Sequence, residues 1–339
     1  MGASLVYTSD TMPGLRRRRT GNGFAYLDAR GRRVTGEATL DRIRRLAIPP
    51  AYTDVWICRD AHGHLQATGR DARGRKQYRY HPAWHAQRGD SKFERIIAFA
   101  EAMPGLRRQI NQHLALSGFP RDKVIALVVA LIGQTLLRVG NASYLKQNRS
   151  YGITTLRNEH ARFIASGQVR FAFRGKGGRA LESTVSDDRL VRLLRRCQQL
   201  PGQALFQYRE GEQLHGISSG DVNDYLQARL GGPYTAKDFR TWGATLFAFR
   251  ALAAIPAPDD GQDAAARTRV RLDVLKDTAA ILGNTVRICE KSYVDPAVFR
   301  GWEDGSLHAA ARHAKGPRQW EQAAIRFLKR AHRAPAARA

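Results

Sequence analysis

Apolar and polar positions follow two different rhythms along this chain. Up to about residue 88 the apolar positions come in short runs between turn residues. Phe24-Ala25-Tyr26-Leu27-Asp28 reads as a strand ahead of a turn at Arg30-Gly31. Asp54 to Cys58 and Leu65 to Thr68 read as further strands around a turn at His62-Gly63, and Leu40 to Leu46 as one short helix closed by Pro49-Pro50. Around Arg88-Gly89-Asp90 the composition shifts. From Ser91 onward a helical period takes over, with Phe93, Ile96, Ile97 and Ala100 on one face. Val124 to Leu137 is apolar on nearly all sides, the pattern of a helix buried at the centre of a domain.

Ile153 to Leu156 and Val169 to Phe173 read as strands. The second runs into Arg174-Gly175-Lys176-Gly177-Gly178, with Leu181 to Val185 as its hairpin partner. Amphipathic helices are predicted at Asp187–Cys197, Ser219–Leu230, Thr235–Ala254 and Ala264–Leu282. A polar, Pro-containing loop covers Pro256 to Gln262. A last helix covers Gln319 to Lys329, ahead of a frayed end at Ala331 to Ala339. The expected fold is α+β, with a small β-rich N-terminal domain over 1–88 and a larger, mainly α-helical domain with a short β-hairpin over 89–339.

Charge changes the picture more than composition does. The 339 residues are 43% hydrophobic, enough for real cores, yet carry a formal net charge of +26 from 56 Lys+Arg against 30 Asp+Glu. Self-repulsion opposes compaction, so such a charge points to a polyanionic partner, duplex nucleic acid before an anionic membrane surface or mere solubility. The cations are mostly Arg and run the whole length of the chain, which suits a folded surface tracking phosphates and also fits a GC-rich genome. Cys58, Cys197 and Cys289 form no CxxC pair, which argues against a zinc ribbon or a disulfide framework. With no hydrophobic signal core and no apolar run longer than Val124 to Ile132, a soluble, cytoplasmic, nucleoid-associated protein is expected.

The chemistry-bearing positions are scattered. No HExxH, no carboxylate cluster at metal spacing and no GxxxxGK[ST] loop is present, so neither metal nor nucleotide cofactor is expected. Breaking a phosphodiester then requires protein cations to neutralise the transition state. Arg138 follows the buried apolar run, as an inward-rooted cation or a helix C-cap. Tyr144 and Lys146 lie close by and could touch phosphates. Lys176 sits at a glycine-flanked hairpin tip, free to project as a proton donor or simply as a basic tip. Lys237 and Arg240 share one face of a helix start, behind a capping-box variant at Thr235 and Asp238. That face could clamp a phosphate or form surface ion pairs. Gly283 would end a helix and Asn284 would cap the next, an amide donor within reach of a phosphoryl oxygen. Tyr293 stands nine residues later, before a proline stop; alone, such a Tyr is more often packing than nucleophile. In the N-terminal part, Arg70, Arg75, Lys76 and Tyr78 interleave charge and aromatic rings. They could meet phosphate and base, or form a solvated loop with tyrosines plugging a small core.

Four segments, in this order, resemble the type IB DNA topoisomerases in their compact, poxvirus-like bacterial form. They are Gln66 to Asp71 running through Gly74 to Tyr78; Leu137-Arg138-Val139-Gly140-Asn141; Thr235 to Trp242; and Leu282 to Thr285 through Lys291 to Pro296. The resemblance covers nearly the whole chain and implies a tyrosine-recombinase-like catalytic fold behind a DNA-clamp domain. It implies that Tyr293 is the nucleophile forming a 3′-phosphotyrosyl bond and that Arg138 and Arg240 clamp the scissile phosphate. Lys176 would protonate the leaving 5′-hydroxyl, and Lys237 would assist. Asn284 falls where many members carry His; it keeps a donor but cannot ionise, so a His-dependent pH limb is expected to be absent. The implied activity relaxes supercoiled duplex DNA without ATP or metal, by a protein monomeric on DNA.

Three other readings compete. A tyrosine site-specific recombinase usually has a helical N-terminal domain and an HxxR pair, where this chain has a β-rich start and Lys237. A non-enzymatic DNA-binding protein would not need Arg, Lys and Tyr in this order. A catalytically degenerate relative would not be expected to retain them.

Overall fold

The computed structural model describes residues 5–21, 23–72, 74, 76–164, 167–259 and 263–333, with 85–91, 143 and 147 described by their backbone alone. The loop expected over 256–262 and the frayed end expected over 331–339 thus lie partly outside the described residues, and Arg75 lies wholly outside them. The chain divides into two compact units, Met1–Phe93 and Glu94–Ala339.

The first unit is built on a five-stranded antiparallel sheet. Its elements are β1 (Leu15–Thr20), β2 (Gly23–Leu27), α1 (Glu37–Arg45), β3 (Thr53–Ile57), β4 (Leu65–Arg70) and β5 (Lys76–Tyr80), in sheet order β2-β1-β3-β4-β5. Strand β3 has a core on each face. Val55 and Ile57 pack with Leu15, Ile43 of α1 and Ala67, whereas Trp56 and Cys58 pack with Leu65 and Tyr80. Trp56 Nε1 donates to the carbonyl of Met12 at 2.9 Å, and its ring lies so close to Gly14 that a Cβ there would clash at 2.1 Å. The strand β1 was not expected, because its run of arginines carries no alternation. Arg17 explains how it is tolerated. Its guanidinium turns inward to the carbonyls of Pro49 (3.1 Å) and Tyr52 (2.6 Å) and lies over Phe24, and burial lowers its pKa.

Helix α2 (Pro82–Leu114) carries the chain into the second unit. The helical period therefore begins at Pro82, before the expected onset at Ser91, and Arg88-Gly89-Asp90 is helical. The remaining elements are α3 (Arg121–Thr135), α4 (Ala142–Asn148), β6 (Ala161–Ile164), β7 (Gln168–Arg174), β8 (Ala180–Val185), α5 (Asp188–Gln198), β9 (Gln207–Glu210), β10 (Gln213–Gly216), α6 (Ser219–Leu230), α7 (Ala236–Ala253), α8 (Ala264–Leu282), α9 (Val286–Ser292), α10 (Ala297–Glu303), α11 (Ser306–Ala311) and α12 (Pro317–Arg333). Helix α3 is the expected buried helix: every residue from Lys123 to Val129 is enclosed. The hairpin β7–β8 gains a third strand, β6, and pairs Phe173 with Leu181 and Arg174 with Ala180.

Two expectations fail here, and one of the two readings of Arg138 falls. The expected strand Ile153 to Leu156 is instead a 3₁₀ turn over Ile153–Thr155, because its N–H groups serve other backbone. Ile153 donates to the carbonyl of Arg138 (2.8 Å) and Thr154 to that of Val139 (2.7 Å). Arg138 does not cap α3, which closes two residues earlier on a left-handed Leu136 (φ 54°) donating to Ile132. Asn284 does not cap α9; Thr285 does, accepting from the N–H of Ile288 at 3.3 Å.

Candidate active site

Within the second unit, a cavity of about 620 Å³ is lined by Arg138, Tyr144, Lys176, Lys237, Arg240 and Tyr293, with Asn141, Ser150 and Tyr151 among its other walls. Four stretches far apart in sequence, 138–151, 176, 236–240 and 293, therefore meet at one place. Asn284 stands directly behind it, and Lys146 stays outside, exposed on α4.

The framework is the C-terminal end of α8, where helix carbonyls run out of intrahelical donors. Three consecutive carbonyls are each taken by a different guanidinium. Arg240 Nη2 donates to Leu282 (2.9 Å), Arg138 Nη2 to Gly283 (3.2 Å) and Arg179 Nη1 to Asn284 (2.6 Å). The negative end of the helix dipole favours these cations. Gly283 is the left-handed residue (φ 58°) that ends the helix and presents this row. Arg240 Nη1 also donates to the carbonyl of Leu136, and Arg138 Nη2 to Asn284 Oδ1. The guanidiniums are thus positioned by neutral carbonyls rather than neutralised by carboxylates.

Donors are left over. Arg138 Nη1, Arg240 Nε and Asn284 Nδ2 are buried and have no protein acceptor. Arg240 is 3% exposed and its guanidinium carbon lies 5.2 Å from the centre of the Tyr293 ring. Burial pushes the Tyr293 phenol up. The charge and hydrogen bond of Arg240, then the charges of Lys237 and Arg138, outweigh this and leave the phenol below its ordinary range. Arg138 is itself lowered, by burial first and by Arg240 next.

Supporting contacts fix these groups from behind. The Asp238 carboxylate accepts from the Thr235 N–H (2.8 Å) and hydroxyl (3.1 Å) and from Arg95 (2.6 Å), which anchors the start of α7 and hence Lys237 and Arg240. The Thr245 hydroxyl donates to the carbonyl of Tyr293 (3.1 Å) and accepts from the N–H of Asp295 (3.2 Å). Lys176 is exposed at the tip between β7 and β8, its Nζ 5.7 Å from the centre of the Tyr144 ring. Arg95, Arg179 and Thr245 have no sequence signal that sets them apart from other cations and hydroxyls; only the fold brings them here.

In the first unit Arg70 and Lys76 are cross-strand neighbours. Lys76 is ion-paired with Asp10, which also accepts from Thr68 (3.0 Å), and Arg70 lies 3.6 Å from Asp54. The Asp10 hydrogen bond raises Lys76, and the Lys76 hydrogen bond lowers Asp10. Tyr78 is 48% exposed and stacked parallel to Tyr80.

Among the described residues no group of three or more His, Cys, Asp or Glu could hold a metal, and no helix is long and apolar enough to cross a membrane.

Comparison with known families gives these units a context. Residues 81–308 match the catalytic core of eukaryotic DNA topoisomerase I, and residues 23–71 match the N-terminal domain of bacterial DNA topoisomerase IB. These matches are to DNA topoisomerases. The mimivirus protein DNA topoisomerase 1B is 33% identical over 84% of this chain and 85% of its own. The vaccinia virus (strain Copenhagen) protein of the same name is 24% identical over 77% and 81%. The chain belongs to the type IB DNA topoisomerase family, and it is an enzyme, an isomerase of DNA topology.

Proposed function

We propose that Tyr293 Oη attacks a phosphorus of duplex DNA, forming a 3′-phosphotyrosyl ester as the bond from phosphorus to the 5′-oxygen breaks. Lys176 Nζ gives its proton to that oxygen. The free 5′-hydroxyl end then swivels and superhelical strain drains away. Resealing is the reverse: the 5′-hydroxyl attacks, Lys176 takes its proton back and the tyrosyl ester opens. Bond energy stays in the ester throughout, so neither nucleotide nor metal is needed.

The observation that carries this reading is the pair of unpaired buried donors on Arg138 and Arg240, both on the cavity wall that Tyr293 shares. A buried donor without a partner costs about 1–3 kcal/mol, so two in one place call for an acceptor that arrives with the substrate. The non-bridging oxygens of a phosphate in the cavity supply it, and their charge grows as the reaction proceeds. The lowered Tyr293 phenol fits a nucleophile that reacts as its phenolate. Lys237 completes the cation cluster on the cavity wall.

Duplex contacts are assigned to Arg70, Arg75, Lys76 and Tyr78 of the first unit and to Tyr144, Lys146 and Lys237 of the second. The N-terminal domain, expected over residues 1–88, acts as the clamp domain and the remainder, 89–339, as the catalytic domain. The enzyme works as a monomer on nucleoid DNA in the cytoplasm. The test is relaxation of plasmid in EDTA with no nucleotide. Both positive and negative supercoils should relax; a requirement for ATP or a divalent ion would overturn the reading.

A further inference from the structure

The hairpin that carries Lys176 is tied to the turn that carries Asn284 by two contacts the chemistry itself does not use. Arg179 is the first: its Nη1 reaches 105 residues along the chain to the Asn284 carbonyl at 2.6 Å. Leu181 is the second. Its two methyls fill a slot between glycines. A Cβ on Gly175, at the base of the hairpin, would lie 2.4 Å from Cδ1, and one on Gly283 would lie 2.3 Å from Cδ2. One side chain thus touches both the hairpin and the α8 terminus.

The hairpin tip needs such an anchor. Gly175 donates to the Arg179 carbonyl (2.8 Å) and Gly178 to that of Gly175 (3.1 Å), which closes the tip into a small loop. Gly177 and Gly178 stand at φ 76° and 78°, where only glycine turns freely. Inside that loop the exposed Lys176 side chain has the face of Tyr144, 5.7 Å away, as a weak support. A proton donor must be held close to its near-attack position, because a displacement of about 1 Å can cost on the order of 10²-fold.

We propose that Arg179 and Leu181 are positioning residues for strand cleavage. They dock the Lys176 hairpin on the Gly283–Asn284 turn, so that the proton donor and the cavity-lining Arg138 move as one body. The turn is held at two successive carbonyls, by Arg138 at Gly283 and by Arg179 at Asn284. This inference rests on the reading of Lys176 as the acid.

Two measurements test it, on Arg179→Ala and Leu181→Ala in the full chain. The first is amide hydrogen exchange without DNA. Exchange at Gly175 and Gly178 should quicken while α3 keeps its protection; unchanged exchange at the tip would overturn the docking. The second is single-turnover cleavage of a duplex with a 5′-bridging oxygen or sulfur at the scissile bond, since the thiolate leaves without a proton. Each variant should be slowed by about 10-fold on the oxygen substrate, short of the loss expected from deleting the acid, and restored to near wild-type rate on the sulfur one. An equal defect on both substrates would overturn a role exerted through Lys176. Lys176→Ala, run beside them, separates the two ideas. If it stays fully defective on sulfur, the acid reading fails, and the exchange result alone decides the docking.

Discussion

The two groups of cations assigned to DNA are held in opposite ways. In the first unit Arg70 and Lys76 are exposed and already face carboxylates, Asp54 and Asp10. In the catalytic unit Arg138 and Arg240 are buried or half-buried, held by backbone carbonyls, and keep donors unspent. A cation paired with a carboxylate must give up that partner to take a phosphate, so its contribution to binding is small and salt-sensitive. A guanidinium fixed by carbonyls keeps its full charge for whatever enters. The difference teaches that charge density alone does not mark a catalytic cation; the identity of its standing partner does.

The contrast can be broken experimentally. Arg138→Ala and Arg240→Ala should each slow single-turnover cleavage by on the order of 10²-fold or more, as lost transition-state donors do, with little change in duplex affinity. A loss confined to affinity would place these residues with the surface group. Arg70→Ala and Lys76→Ala should do the reverse, leaving the cleavage rate of bound duplex near wild type and lowering the slope of log affinity against log salt by about 1 each. Asp10→Asn, which frees Lys76, should tighten binding; weaker binding would show that Asp10 orders the site instead.

The smallest effect concerns a pair behind Tyr293. Asp295, 1% exposed, accepts from His332 Nε2 of α12 at 2.8 Å, which raises His332 against the opposing effect of burial. A raised folded pKa favours the protonated ring. Its stability contribution is complete below the ordinary value of 6.5 and fades as pH rises through the higher folded value. His332→Gln should therefore lower Tm by about 2 °C near pH 6 and by less near pH 8.5, as read by calorimetry. A uniform loss would assign the pair to packing.

Much of this was legible along the chain because it is local. The apolar stretch before Arg138 announced a buried helix, the glycines around Lys176 announced a tip, and Thr235 with Asp238 announced a helix start; each signal spans only a few residues. What stayed hidden depends on partners far away. Nothing near Arg138 says that Leu136 turns left-handed and sends the guanidinium to carbonyls 145 and 146 residues on, to Gly283 O and Asn284 Oδ1. The β-branched run Ile153 to Thr155 looks like a strand until Arg138 and Val139 claim its N–H groups. Arg17 sits in a run of four arginines, yet it serves the carbonyls of Pro49 and Tyr52 and only the fold separates it from its neighbours. The carboxylate beside Arg70, Asp54 of β3, is likewise brought in by strand pairing, and Asp10 reaches Lys76 from the segment before β1.

The central claim is that one phenol and two unspent guanidinium donors converge on a single phosphorus. Trapping the covalent complex on a nicked suicide duplex and sequencing the modified peptide by mass spectrometry tests it most directly. The DNA should be linked through its 3′-phosphate to Tyr293, with a free 5′-hydroxyl released and no adduct from Tyr293→Phe. A DNA linkage on any other residue, or one through a 5′-phosphate, would contradict the account.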